Sequence, residues 1–280
     1  MHLTVSVILN VMSTIKYENM KSIKFLSLPS ILFIALQVNA QHEISTPPEV
    51  SPMPMKPEMT EIWEPEVLTV TPGEKLGDAP SDAIILFDGK NLDQWVSQKD
   101  TTKPAPWEIV DNDYLQVAPG SGMIQTKMKF GDIQLHLEFS APDNVEGSSQ
   151  GRGNSGVFFQ DRYELQILDS YNNRTYRNGQ AGSIYKDHAP LINPMRGPLE
   201  WNVYDVIYRA PRFKESGVID TPATITVFLN GVLVQNNATI NGLTQYIGLH
   251  DYPESHGEDV IALQDHGNKT QFRNIWVRKL

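Results

Sequence analysis

Three short stretches carry acid, amide and imidazole side chains at the two-residue spacing that puts them on one side of an extended chain. In Leu263-Gln264-Asp265-His266-Gly267, Gln264 and His266 share one face and Leu263 and Asp265 the other. In Ile133-Gln134-Leu135-His136-Leu137-Glu138-Phe139, the apolar residues take one face and Gln134, His136 and Glu138 the other. In Tyr163-Glu164-Leu165-Gln166-Ile167, Glu164 and Gln166 alternate with Leu165, and Arg152 and Asn154 stand just before the preceding strand. Antiparallel sheets routinely turn one polar face to water. Solvated faces favour Lys, Thr and Ser, however, whereas these strands carry Glu, Gln and His, which suit proton transfer and hydrogen bonding to a ligand.

The elements that must position these groups read as strands throughout. Candidate strands recur every 10 to 20 residues from Ile84 onward, with Asp111-Asn112-Asp113 and Asn230-Gly231 as hairpin turns. Gly267-Asn268 predicts a third hairpin, joining 261–266 to 272–278. No amphipathic helix longer than two turns and no internal repeat is present, which excludes a propeller. The pattern predicts an all-β fold, a concanavalin A-like two-sheet jelly roll with a polar concave face. Two longer connections, 143–154 and 170–199, interrupt the strand rhythm beside the Glu164 strand and are placed to wall in a pocket.

Composition narrows the function. The chain has 280 residues and no cysteine, so thiolate catalysis, thiolate metal sites and a lipid-anchored cysteine are excluded. Lys21 and Lys24 precede an apolar run, Phe25–Leu36, and Val38-Asn39-Ala40 supplies small residues for cleavage before Gln41. Residues 1–40 are therefore expected to be a signal peptide, with 1–19 a start-site extension, and the protein is expected to be exported to the periplasm or beyond. The apolar run is shorter than the roughly 20 residues of a spanning helix. Removing three lysines and one glutamate with that segment takes 23 basic and 33 acidic residues to a net charge of −12. Such a balance disfavours nucleic acid and anionic membranes. Residues 41–82 form a proline-rich linker or strap, and 83–280 the globular domain.

Several of these segments resemble a known family. Leu86-Phe87-Asp88-Gly89-Lys90-Asn91-Leu92 with Trp95 is similar to its opening. Gly153-Asn154-Ser155-Gly156-Val157-Phe158 and Tyr163–Asp169 are similar to its middle signature. Glu200-Trp201-Asn202, Phe228–Val232, Leu263–Gly267 and Phe272–Trp276 complete the order. The whole resembles the 3-keto-disaccharide hydrolase family, over roughly residues 82–280. The resemblance implies a concanavalin-like sandwich that cleaves glycosides whose glucose C3 hydroxyl is already a ketone. Family members act as hydrolases, 3-keto-glucoside 1,2-lyases or 3-keto-2-hydroxy-glucal hydratases. An upstream sugar 3-oxidoreductase is then a pathway neighbour.

A C3 ketone acidifies the C2 hydrogen, so the chemistry needs a base at C2, a donor or cation at the C3 oxygen and an acid at the departing oxygen. His266 or Glu164 is the expected base, and Glu138 or His136 the acid partner. Arg152, Asn154, Gln166, Gln264 and His136 are expected to bind substrate. A divalent metal on Glu138, Glu164 and His266 would suit Mn or Zn better than Ca. Two other readings compete. One is a two-carboxylate glycosidase using Glu138 and Glu164 on unoxidised sugars, and the other a non-catalytic carbohydrate-binding module. Blander roles stand beside these: His266 as a hairpin cap, Asp265 in a turn or bonded to Arg273, and Trp95, Trp107, Trp201 and Trp276 as core.

Overall fold

The computed structural model describes residues 54–142 and 147–280. The expected signal segment and residues 41–53 lie outside them. Contacts divide the chain into units 1–65 and 66–280. In the first, residues 54–65 contain one 3-10 turn, Pro57–Met59. All strands belong to the second.

Two antiparallel sheets make the fold. The larger has the order β13 (Val232–Thr239), β12 (Thr224–Leu229), β9 (Asn202–Arg209), β6 (Ile133–Ser140), β15 (Gln271–Lys279), β4 (Tyr114–Gln116) and β3 (Glu108–Val110), with β1 (Ile84–Phe87) also paired to β15. The smaller has the order β2 (Trp95–Ser97), β5 (Ile124–Thr126), β14 (Ala262–Leu263), β7 (Ser155–Phe159) and β8 (Tyr163–Ile167). A separate ribbon pairs β10 (Arg212–Phe213) with β11 (Ile219–Thr221). The expected all-β sandwich is present, and among the described residues the only helical segments are three-residue 3-10 turns. No helix of the described residues is long and apolar enough to cross a membrane.

The alternation read from sequence decides which side chains enter the core. Leu135, Leu137 and Phe139 of β6 and Tyr204, Val206 and Tyr208 of β9 meet Val157 and Phe159 of β7 and Leu165 and Ile167 of β8, all buried. Each such apolar side chain contributes about 1.5–3 kcal/mol on burial. Polar tips are satisfied across the layer: Tyr204 donates to the Gln166 carbonyl at 2.7 Å and Tyr208 to Gln160 Oε1 at 2.8 Å. Trp95, Trp107 and Trp276 are buried. Two expected hairpins form, with Asp111 and Asn112 at φ 55° and 51°, and Asn230 and Gly231 at 53° and 76°.

The third expected hairpin does not form. The chain leaves the smaller sheet at Leu263 and enters the larger one at Gln271, so Gly267-Asn268 marks a crossing between layers. Side-chain acceptors there replace a hairpin ladder. The Asp265 carboxylate accepts the amides of Gly122 and Gly267, each at 2.9 Å, and Asn268 Oδ1 accepts the Asn154 amide at 2.8 Å. Asp265 thus serves a turn, and Arg273 pairs instead with Glu138 at 2.7 Å.

Gly77 and Asp82 lie against β6 and β15 on the outer face of the larger sheet. Asn274 Nδ2 and Trp276 Nε1 both donate to the Gly77 carbonyl, at 2.9 and 2.8 Å, and Arg278 holds Asp82 at 2.6 Å. Gly77 has φ 92°, and a Cβ there would lie 3.2 Å from the His136 ring. Beneath it, His136 stacks on Trp276 with centroids 5.2 Å apart. Its Nδ1 is 2.6 Å from Asp205 and its Nε2 is 3.7 Å from Glu138. Burial opposes the charged ring, but Asp205 and Glu138 outweigh it and raise the pKa to about 9. Burial likewise opposes the Glu138 carboxylate, yet His136, Asn274 and Arg273 hold it at about 2.

A folded-state pKa above the unfolded value stabilises the protein below the unfolded pKa and ceases to do so as pH rises through the folded one. Urea unfolding should therefore show stability declining from about pH 6.5 and levelling off above about pH 9. Asp205→Asn should lower stability at pH 7 and flatten that decline. An unchanged slope in the variant would mean that the pair does not control it.

Candidate active site

The outer face of the smaller sheet carries the remaining polar groups. Tyr163, Leu165 and Ile167 point into the core, so Glu164 and Gln166 point away from it. β7 and β8 set Phe158 opposite Glu164 and Gly156 opposite Gln166. A cavity of about 310 Å³ opens over them, lined by Asn154, Phe158, Glu164, Gln166, Tyr185, Thr244, Tyr246, Gln264 and His266. That volume lies near the lower end of the roughly 300–1,000 Å³ usual for small-ligand sites. Two loops are keyed to the Glu164 backbone. Its carbonyl accepts the Tyr185 amide at 3.1 Å, and its amide donates to Thr244 Oγ1 at 2.9 Å.

Glu164 is 5 % exposed. Its carboxyl makes no hydrogen bond or ion pair to any other described residue. Burial pushes its pKa up to about 8. Gly156 makes the room it occupies, because a Cβ there would fall 2.5 Å from Glu164 Oε1. Around it stand amides with spare capacity. Gln166 Nε2 reaches Gln150 and Asn154 at 3.2 and 3.3 Å, while the oxygens Gln166 Oε1 and Gln264 Oε1 are buried without a donor among the described residues. His266 is exposed at the rim and bonds no other described side chain.

Five of the residues expected from sequence therefore come together: Glu164, His266, Asn154, Gln166 and Gln264. Three do not. Arg152 lies outside the lining, with Nε on Asp169 at 2.7 Å and a second nitrogen on the Tyr171 carbonyl at 3.0 Å. Glu138 and His136 belong to β6 in the other sheet, on the face that meets Gly77. The expected pairing of Glu138 with Glu164 on one face is thus corrected: each strand turns its polar side outward, but from opposite layers of the sandwich. The metal set Glu138, Glu164 and His266 is not assembled for the same reason. No other cluster of three or more such ligands occurs among the described residues. His266 does not cap a hairpin, since none forms there.

Phe158, Thr244 and Tyr246 were not anticipated. Phe158 shares the parity of Asn154 and Gly156, so alternation could have found it. Thr244 and Tyr246 lie in a connection without strand periodicity and carried no signal. Tyr185 lies on the long 170–199 connection read from sequence as a pocket wall. A larger cavity of about 390 Å³ lies elsewhere, beside Asp132, Arg212, His256 and Lys279. Its charged groups already pair, Arg212 with Asp132 at 2.8 Å and Lys279 with Glu258 at 3.7 Å, and His256 takes the Tyr163 hydroxyl at 2.7 Å. It therefore offers a ligand fewer free groups than the Glu164 cavity.

Residues 82–278 match the family model of the 3-keto-alpha-glucoside-1,2-lyase-like domain. The chain belongs to this family. A crystal structure described as a putative glycosyl hydrolase from Parabacteroides distasonis ATCC 8503 is 52 % identical, with TM-score 0.77, covering 81 % of this chain and 97 % of that one. Another so described from the same organism is 23 % identical, with TM-score 0.50, covering 71 % and 99 %, and shares the fold. No curated protein matches the chain. Membership in the 3-keto-alpha-glucoside-1,2-lyase-like family and the first of these neighbours support a carbohydrate-acting protein of the hydrolase or lyase kind.

A buried acid with a raised pKa favours folding less as pH climbs from the unfolded value, near 4.5, through the folded one, near 8. Glu164→Gln removes that charge at almost constant shape. The variant should be the more stable protein above pH 8, by up to about 5 kcal/mol, with the gap closing below pH 5. Chemical unfolding at pH 5 and pH 9 checks this, and equal stability at pH 9 would show that the carboxylate is not desolvated.

Proposed function

We propose that the protein cleaves 3-keto-glucosides by removing the C2 proton with Glu164. The observation that carries this reading is a single buried carboxyl, with pKa near 8, alone among amides. A two-carboxylate glycosidase needs a second acid across the sugar, about 5–9.5 Å away. Among the described residues lining the cavity, Glu164 is the only carboxylate. A carbohydrate-binding module has no need of a desolvated acid, which costs stability. Elimination needs one strong base instead, and a base is most effective when its pKa lies near the working pH.

In this reading, the C3 ketone of the bound sugar acidifies the C2–H. Glu164 takes that proton, and the electron pair forms an enolate whose charge rests on the C3 oxygen. Amide N–H groups of Asn154 and Gln264 are the donors for that oxygen, and the side-chain oxygens of Gln166 and Gln264 accept from the sugar hydroxyls. Collapse of the enolate forms the C1–C2 double bond and breaks the bond from C1 to the departing oxygen. That oxygen receives a proton and leaves as an alcohol, with His266 as the titratable group at the rim for this transfer. The remaining product is a 2-hydroxy-3-keto-glucal, and addition of water at C1 completes a net hydrolysis. The substrate must come from an oxidoreductase acting on a glucoside C3 hydroxyl. The sequence of residues 20–40 supports export, which would put both reactions outside the cytoplasm.

Incubation of residues 41–280 with a 3-keto-glucoside in D₂O should release the aglycone and leave deuterium at C2 of the rehydrated product, while the unoxidised glucoside stays intact. Cleavage of the unoxidised sugar would overturn the reading. Because Glu164 must be ionised to act, kcat/KM should rise with pH through about 8. Glu164→Gln should lose about 10²–10⁴-fold in rate.

Gly156→Ala should lose about 10²-fold by displacing the Glu164 carboxyl. Steady-state kinetics and urea unfolding on the same preparation separate that loss from any loss of fold. Wild-type rates in the alanine variant would place Glu164 outside the reaction.

A further inference from the structure

The loops beside Glu164 carry three tyrosines that the proton-transfer chemistry does not use. Tyr185 and Tyr246 line the cavity. Tyr176 joins them through a hydroxyl–hydroxyl contact with Tyr185 at 2.8 Å. Lys186 sits among all three, its Nζ 3.9 Å from the Tyr246 ring centroid, 5.7 Å from Tyr185 and 5.9 Å from Tyr176. It also donates to the Tyr246 carbonyl. Such cation–ring contacts are worth about 0.5–1 kcal/mol at exposed sites, enough to bias rotamers without closing the surface. Tyr246 nevertheless remains 71 % exposed. An aromatic ring this exposed at the edge of a polar cavity, with Lys186 over one face, has an unused apolar face.

Its position relative to the acid is fixed by the backbone. Tyr185 donates its amide to the Glu164 carbonyl, and Thr244, two residues before Tyr246, accepts the Glu164 amide. The cavity is closed at Glu164, 5 % exposed, and open at Tyr246. A ring seated over Glu164 has its free side toward that open edge, where a C1 substituent meets Tyr246. The geometry points to Tyr246, with Tyr185, as a subsite for the departing group, and to a departing group that is itself a ring with an apolar face. A second sugar and an aromatic aglycone share that chemistry. This inference rests on the proposed cleavage only for the word departing; the subsite itself is a matter of binding.

Binding is measured by calorimetry in the non-reacting Glu164→Gln protein, with methyl, phenyl and glucosyl 3-keto-α-glucosides. The ring-bearing ligands should bind about three- to tenfold tighter than the methyl one, as an aromatic stacking contact would give. Adding Tyr246→Ala should remove that preference, whereas Tyr246→Phe should keep it. A preference for phenyl alone assigns an aromatic aglycone, and one for glucosyl alone a second sugar. Equal affinities, or a preference that survives Tyr246→Ala, overturn the subsite. Turnover by the wild type without ring preference would sink the subsite alone. Ring preference without wild-type turnover would sink the cleavage reading alone. If none of the three binds, both fall.

Discussion

A carboxyl group without a partner, buried on a sheet face, is the constraint around which the smaller sheet is arranged. Ionising Glu164 in place costs several times the energy of a surface contact, and no cation among the described residues offsets it. The fold makes that cost tolerable by structure around the group. Gly156 leaves space for the carboxyl, and the backbone on either side of Glu164 is fastened to two loops. A side chain so placed is held by what surrounds it, not by attraction to a counter-ion. That leaves its lone pairs free for a proton that arrives with the substrate.

The two polar sheet faces make an internal control. On the larger sheet, His136, Glu138, Asp205, Arg273 and Asn274 satisfy one another beside Gly77. Their charges are shifted toward permanence, with the imidazole protonated and the carboxylate ionised across neutral pH. Groups of that kind hold a segment in place and have no capacity left for a reactant. On the smaller sheet, the acid is pushed toward neutrality, two amide oxygens lack donors, and His266 is unengaged. The same residue types therefore serve cohesion on one layer and availability on the other.

That contrast explains what could be read from sequence. Alternation along β6, β7 and β8 identified which side chains leave the core, and the sandwich follows from the same alternation with its turn residues. Alternation is blind to which sheet a strand joins. Glu138 and Glu164 have equivalent local patterns, and only pairing partners hundreds of atoms away in the chain separate them. The Gly267-Asn268 signal failed for a related reason. A short turn preference is local, and here Asp265 and Asn268 satisfy backbone amides of other segments, Gly122 and Asn154, in place of a hairpin partner. Arg152 was lost to Asp169, a pairing across 17 residues that spacing alone does not select.

The crossing from Leu263 to Gln271 also ties the two layers into one device. Gln264 still pairs with β7 through its amide on the Gly156 carbonyl at 3.0 Å, and Ser155 Oγ holds its carbonyl at 2.7 Å. The chain therefore stays in register with the Glu164 face for one residue beyond the strand, then turns away. Gln264 is thereby fixed over the cavity while His266, two residues on, stands where the backbone has left the sheet. A glutamine with its backbone anchored and an imidazole without a partner, two residues apart, suit different tasks. The first can define where an oxygen of the sugar rests, because its backbone is fastened to β7 before the ligand arrives and its side-chain amide is left free. The second can follow a proton to solvent, because nothing in the described structure holds it.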